Sequence, residues 1–414
     1  MILSTVVNKI KNDKGITLAA AWSFNQLAYA IVYPFVPLYL AQERGIAYST
    51  VSLIFPLMGL AIILAPLPCG WMTDKLGRSF MMLFGQAGRA VIFFILAYFV
   101  FIDAPFWLFA IFLMLNTAVG VAFQVGADTY LADITTPDVR PGYYSKIRIG
   151  FNVGWALGPM VGALFAKTPF WLFFIITGFL CIGGTIYTQK VCFKNDTGKI
   201  TVNTEKEKKK DDFNIVTAVF KNFNFMMLLT GTLFLMLLSS QLYSTFSAFA
   251  TQRIGVSREI LGTLYSLNGF MVLALQIPIV AALKKLNIPV LAQLVTGTLL
   301  YAASYFFLGF ISGTVLLTAA VISITLAEII VQPALYTSVS NETKGSNAGR
   351  MLSMYSLMRG IGYSVGPWVG ARIFDATNSG YILWGVLAIF AVLAAIFFAS
   401  SNRYKTAQKQ GELL

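Results

Sequence analysis

Glu328 stands in "LAEIIVQP", residues 326 to 333, where almost every other residue is apolar. Helical steps of three and four put Thr325, Glu328, Gln332 and Tyr336 on one face, a polar stripe on a helix that Pro333 can bend. Asn116, Gly120, Gln124 and Asp128 form a second stripe at steps of four. Arg148 with Asn152, and Tyr355, Arg359 and Tyr363, extend the pattern to two further segments. A carboxylate removed from water holds its proton to higher pH, so Glu328, and after it Asp128, can carry a proton in one state and release it in another. The competing reading of Glu328 is a buried ion pair with Arg359. Asp133 reads as a helix-end or latch residue. The side chains placed to line a cavity beside these carboxylates are Gln26, Tyr33, Asn116, Gln124, Arg148, Asn152, Gln241, Gln332, Tyr336 and Arg359.

Other chemistries are closed. The chain has no histidine, which removes His-based metal sites, Ser-His-Asp triads and histidine relays. Cys69, Cys181 and Cys192 are isolated and read as small apolar residues. No GxxxxGK[ST] stretch offers a nucleotide-phosphate loop. The expectation is a protein that is not an enzyme and needs no cofactor or metal.

The elements that position these residues follow from composition. Of 414 residues, 57% are hydrophobic and 11% charged, and mean hydropathy is +0.74. Soluble domains are not built this way. A helix needs roughly 20 apolar residues to cross a bilayer, and twelve such runs are present, near 17 to 40, 50 to 73, 79 to 101, 104 to 131, 145 to 167, 169 to 190, 225 to 250, 259 to 283, 288 to 311, 313 to 339, 352 to 374 and 379 to 401. They are too long for barrel strands and do not alternate, so the predicted fold is all-α, integral to the membrane, with twelve transmembrane helices. The amino terminus lacks the cleavage pattern of a signal peptide, and the first span is expected to stay.

The net charge of +13 reports orientation. Lysines and arginines gather on the side that holds the amino terminus, leaving Arg44, Lys167, Arg253, Arg258 and Arg372 outside and Arg89 and Arg359 within spans. This asymmetry makes both termini cytoplasmic and brings the basic face to anionic lipid, with no nucleic-acid partner implied. The localisation expected is the cell membrane, multi-pass.

Residues 191 to 222 form the longest polar stretch, a lysine-rich cytoplasmic linker between an amino-terminal six-helix half (1 to 190) and a carboxy-terminal one (223 to 414). The halves echo each other. "GWALGPMVGA" (154 to 163) recurs as "GYSVGPWVGA" (362 to 371), and Gly45 and Gly59 recur 210 residues on as Gly255 and Gly269. Such repetition suits a transporter in which one half rocks against the other. Gly154, Gly158 and Gly162 allow close helix approach, and Pro159 and Pro367, each following a glycine (Gly158 and Gly366), remove a backbone donor and can bend their helices. These residues are predicted to serve helix bending and packing between the halves.

"GWMTDKLGR", residues 70 to 78, resembles the signature loop between spans 2 and 3 of the major facilitator superfamily, with Gly70, Asp74, Lys75, Gly77 and Arg78 in its pattern. "GWALGPMVG" resembles the Gly-Pro motif of the twelve-span drug/proton antiporter branch, and the acid followed by proline in "AEIIVQP" resembles some multidrug antiporters. Three departures accompany the likeness: Asn116 where the branch often carries arginine, no acid in span 1 (Asn25, Gln26, Tyr29 and Tyr33 instead), and Lys284 where the second-half loop would match Asp74. The resemblance implies a secondary active transporter exporting amphipathic compounds or drugs in exchange for protons by alternating access. It also implies a cytoplasmic latch of Gly70, Asp74, Arg78 and Arg140, in which Asp74 meets Arg140 and the amino end of span 11. The other reading is a transporter of a defined polar metabolite such as a sugar, with the amides reading hydroxyls. The partners implied are a small-molecule substrate, protons and membrane lipids, with the chain working as a monomer.

Overall fold

A computed structural model describes residues 13–136, 139–165, 168–193, 222–342 and 348–411. Among them every regular element is helical. The long helices are α1 (Lys14–Val32), α2 (Ile54–Leu64), α3 (Pro66–Leu76), α4 (Arg78–Phe101), α5 (Phe106–Ile134), α6 (Arg140–Leu164), α7 (Phe170–Tyr187), α8 (Phe223–Ser239), α9 (Arg258–Lys285), α10 (Val290–Leu308), α11 (Thr314–Glu342), α12 (Ala348–Ala376) and α13 (Gly380–Gly411). Helix occupies each of the predicted apolar segments. Eight described helices are long and apolar enough to cross a membrane, or nine if α2 is joined through its 45° bend to α3. Pro66 and Pro68 stand at that bend and withhold their backbone donors. Of the segments outside that group, α1, α6 and α12, the last two carry Arg148 with Asn152 and Tyr355 with Arg359 and Tyr363, while the Asn116 and Glu328 stripes lie on α5 and α11 within it. The predicted linker lies, from 194 to 221, outside the described residues.

Two compact units emerge, Met1–Val202 with Ser257–Leu273, and Asn203–Val256 with Ala274–Leu414. The division departs from the predicted halves in one place: the first part of α9 belongs with the first unit.

Both units are assembled on one plan. In the first, α1 packs on α6 and α7, and α4 packs on α5 and α7. In the second, α8 packs on α12 and α13, and α10 packs on α11 and α13. The repeat extends to local backbone. A five-residue π turn at Tyr39–Glu43 precedes Gly45 at φ +64°, and the same turn 210 residues later, Phe249–Arg253, precedes Gly255 at φ +79°. Both glycines occupy the left-handed region that costs glycine little.

The causes of the breaks before these turns differ. Pro34 interrupts the helix after α1, with Pro37 restarting it. After α8 there is no proline, and hydroxyls compete for the backbone instead: Ser240 donates to Leu237 O at 3.1 Å, Ser244 to Ser240 O at 2.9 Å and Ser247 to Ser244 O at 2.6 Å.

The core of the first unit joins Leu18 and Trp22 of α1, Met82 of α4, Phe123, Tyr130 and Leu131 of α5, and Ile147 of α6. Asp13 caps α1, accepting from Gly15 N at 2.8 Å and Ile16 N at 3.2 Å, and also accepts from Lys146 Nζ of α6, fastening the two helices at one end.

Candidate functional site

The glycine stripe of α6 faces α1. A Cβ on Gly154 would stand 2.7 Å from Ser23 O and from the Gln26 Cβ, one on Gly158 2.4 Å from the Ala30 Cβ, and one on Gly162 3.0 Å from Ile31 O. This corrects the predicted role of these three residues: they pack α6 on a helix of their own unit. Gly366 does likewise in the second unit, where an added Cβ would meet Leu237 O of α8 at 2.6 Å. Four-residue spacing places such glycines on one face but does not say which helix that face meets. The contact with the second half of the sequence uses the next face of α6, within the first compact unit. There Gly262 of α9 abuts Pro159 O and Ala163, and Gly269 abuts Ala156. Pro159 and Pro367 lie inside α6 and α12.

At the signature loop, Gly77 takes φ +93° and turns the chain between α3 and α4. Arg78 then reaches Asp133 at the end of α5, with Nε to Oδ2 at 2.9 Å, and lies 3.8 Å from Asp74, itself largely exposed. A carboxylate at 2.9 Å on a mostly buried guanidinium is the stronger pair of the two. Arg140 donates to Ala132 O at 3.0 Å and Thr135 O at 3.1 Å, closing the carbonyl end of α5. Gly70 has open space around it.

In the second unit, Glu328 is half-buried on α11, within electrostatic range of Tyr301 and Tyr305 on α10 and Tyr363 on α12. Arg359 acts on the same Tyr363. Gln332 is half-buried, and Tyr336 and Arg359 are exposed at the unit's surface. Gln241 is fully buried. Its amide donates to Leu237 O at 2.7 Å and Gly366 O at 2.8 Å while its carbonyl accepts from Thr245 at 2.7 Å, so the side chain clasps α8 to α12 and presents no free donor to a cavity.

In the first unit the polar stripe of α5 spreads. Asn116 is buried, Gln124 half-buried, and Asp128 exposed at the unit's surface. Arg148 is exposed and Asn152 half-buried on α6, while Gln26 is buried under Gly154. Tyr33 stacks on Tyr29 with centroids 4.8 Å apart, and Trp155 stands edge-on to both at 5.8 and 6.0 Å. Tyr29 and Tyr33 border a cavity between α1, α2, α4 and α5, lined also by Val32, Phe55, Phe93 and Asn116.

Behind that wall lies a residue absent from the predicted site. Arg89 of α4 is 3% exposed, donates from Nη1 to Asn25 Oδ1 at 2.6 Å and Asn25 O at 3.1 Å, and from Nε to Asn116 Oδ1 at 3.3 Å. Its guanidinium lies 5.6 Å from the Tyr29 ring and 5.7 Å from the Phe93 ring. The signal was the one that singles out Glu328, a charge within an apolar run, "GQAGRAVIFF".

No cluster of metal-binding side chains occurs among the described residues. Repeated helical units with charged residues set in apolar spans, Arg89 buried and Glu328 half-buried, are the build of a multi-pass membrane transporter. The sequence profile of the Major Facilitator Superfamily matches residues 18–367, and the chain belongs to that family. It is 25% identical over 386 residues to the uncharacterized MFS-type transporter YqjV of Bacillus subtilis (strain 168), covering 92% of this chain and 90% of that one. It is 22% identical over 360 residues to Multidrug resistance protein 2 of the same organism, with 84% and 86% covered. The fold is similar to that of a bacterial homolog of the human lysosomal transporter Spinster, solved in an inward-facing and occupied conformation, with TM-score 0.74 and 14% identity over 94% of this chain and 96% of that one.

Proposed function

We propose that this transporter exports amphipathic compounds in exchange for protons, working by alternating access as a monomer in the plasma membrane. The observation that carries the reading is Glu328, a carboxylate set in an apolar span among three tyrosines. An acid in such a place is costly, about 2.5–3.5 kcal/mol at a span's centre on insertion scales, and is retained where it moves charge. Tyrosine hydroxyls can donate to the ionised form and accept from the protonated one, so the same pocket serves both states. Asp128 is the second proton site, and Gln26, Tyr33, Asn116, Gln124, Asn152 and Gln332 are the polar contacts offered to substrate. Likeness to Multidrug resistance protein 2 supports export of amphipathic compounds. Asp74, Gly70, Arg78 and Arg140 serve as the conformational latch, with Asp133 holding Arg78.

The test is direct. Purified protein in liposomes with a trapped pH-sensitive dye should move protons opposite to an added amphipathic compound. Substrate flux with no proton movement would rule out coupling.

A further inference from the structure

The polar cluster around Arg89 lacks one kind of partner. Arginine has only donors, so the Oδ1 atoms of Asn25 and Asn116 must face it, which turns both Nδ2 groups away. Those two nitrogens and Arg89 Nη2 are buried without acceptors. Every unsatisfied atom in the cluster is therefore a donor. Its one formal charge is positive, and no carboxylate among the described residues pairs with it; the tyrosine and phenylalanine rings at 5.6 and 5.7 Å give only quadrupole attraction. A buried polar cluster short of acceptors and carrying one net positive charge is complementary to a group with several acceptor lone pairs and one negative charge. A carboxylate is that group; a phosphate dianion would need a second cation.

The cluster adjoins the cavity through Asn116. Tyr29, Phe93 and Asn116 line that cavity, and the same three residues touch the guanidinium side of the cluster. Small-molecule sites are apolar with a few placed polar groups. Here aromatic walls adjoin a single donor cluster, which suits a molecule with an apolar body and one acidic end.

We propose that this cavity binds amphipathic carboxylates, with Arg89 pairing the carboxylate and the Nδ2 groups of Asn25 and Asn116 donating to it. The assignment rests on the exporter reading and names its substrate class.

The experiment compares cinnamate and 2-naphthoate with their neutral amides, by calorimetric binding to the full-length protein in detergent. The carboxylates should bind at least tenfold more tightly. Asn25→Asp places a carboxylate where Oδ1 already sits 2.6 Å from Arg89, satisfying the cation internally. That variant should melt no lower than the parent and should lose the preference for the acids. Arg89→Gln should lose it too where it folds. Equal binding of acid and amide, no binding of either acid, or an Asn25→Asp variant that keeps the preference would overturn the site. The exporter reading fails separately: carboxylate binding without proton movement in liposomes sinks that reading and leaves the site standing, while proton-coupled export of the amides with no acid preference does the reverse.

Discussion

A Cβ added to Gly262 would stand 2.8 Å from the carbonyl oxygen of Pro159 and 2.4 Å from the Ala163 Cβ. Backbone cannot yield as a side-chain tip can, so any larger residue forces α9 away from α6. Gly262→Val is expected to reduce turnover in liposomes by tenfold or more while the α1–α6 packing, and with it expression, is kept. Wild-type turnover in this variant would show that the close approach is dispensable.

Gly158→Leu tests the other face of the same helix. Its Cβ would enter Ala30 of α1 at 2.4 Å, inside the core of one unit. Overpacking of this kind costs about 1–3 kcal/mol. The variant should express poorly or melt several degrees lower. A variant with unchanged melting and lowered turnover would return this glycine to the role the sequence first suggested.

Arg78 of the signature loop meets two carboxylates of unequal consequence, Asp133 of α5 and Asp74 of the loop itself. Arg78 lies 2.9 Å from Asp133 but 3.8 Å from Asp74, whose side chain is mostly in solvent. Asp133→Asn should lower the melting temperature of the detergent-solubilised protein more than Asp74→Asn, while Asp74→Asn should shift the conformational population read by cysteine accessibility. Identical melting curves for the two variants would contradict the ranking.

Acid sensitivity should appear at the amino-terminal end of α1. The hydrogen bond from Lys146 holds the Asp13 carboxyl below its usual value of 3.8, partial burial opposing it and the backbone bonds from Ile16 and Gly15 assisting. A depressed folded-state pKa stabilises fully above the unfolded value and is lost as pH falls through the folded one. Asp13→Asn should therefore melt lower than the parent at neutral pH, with the gap closing below about pH 4. Because both side chains are partly exposed, the effect is small. A gap that persists at the lowest pH would show that the cap, and not the charge, is responsible.

How far the sequence led can be read from particular residues. The apolar runs became helices because runs this long and without alternation can span lipid only as helices, and the 210-residue echo of Gly45 and Gly255 came back as a pair of π turns with matching backbone. The partners of those helices were less legible. Gly154, Gly158 and Gly162 were predicted to pack half on half, but helical spacing carries no information on which neighbour a face meets. Gln241 looked like a cavity amide, and only the position of Gly366 O shows both its protons used. Arg89 was visible as a charge within a span, yet its site depends on Asn25 and Asn116, 64 and 27 residues away.

Glu328 carries the central claim. Glu328→Gln keeps the size and much of the hydrogen bonding but cannot titrate, so uphill export driven by a pH difference should collapse while binding and downhill exchange survive. The driving force is large, about 2.3 kcal/mol per charge per 100 mV before the pH gradient is added. The decisive measurement is accumulation of substrate by Glu328→Gln in liposomes under an imposed pH gradient. The account predicts equilibration and no accumulation from a well-folded protein; a well-folded variant that still concentrates substrate would contradict it and pass the coupling role to Asp128.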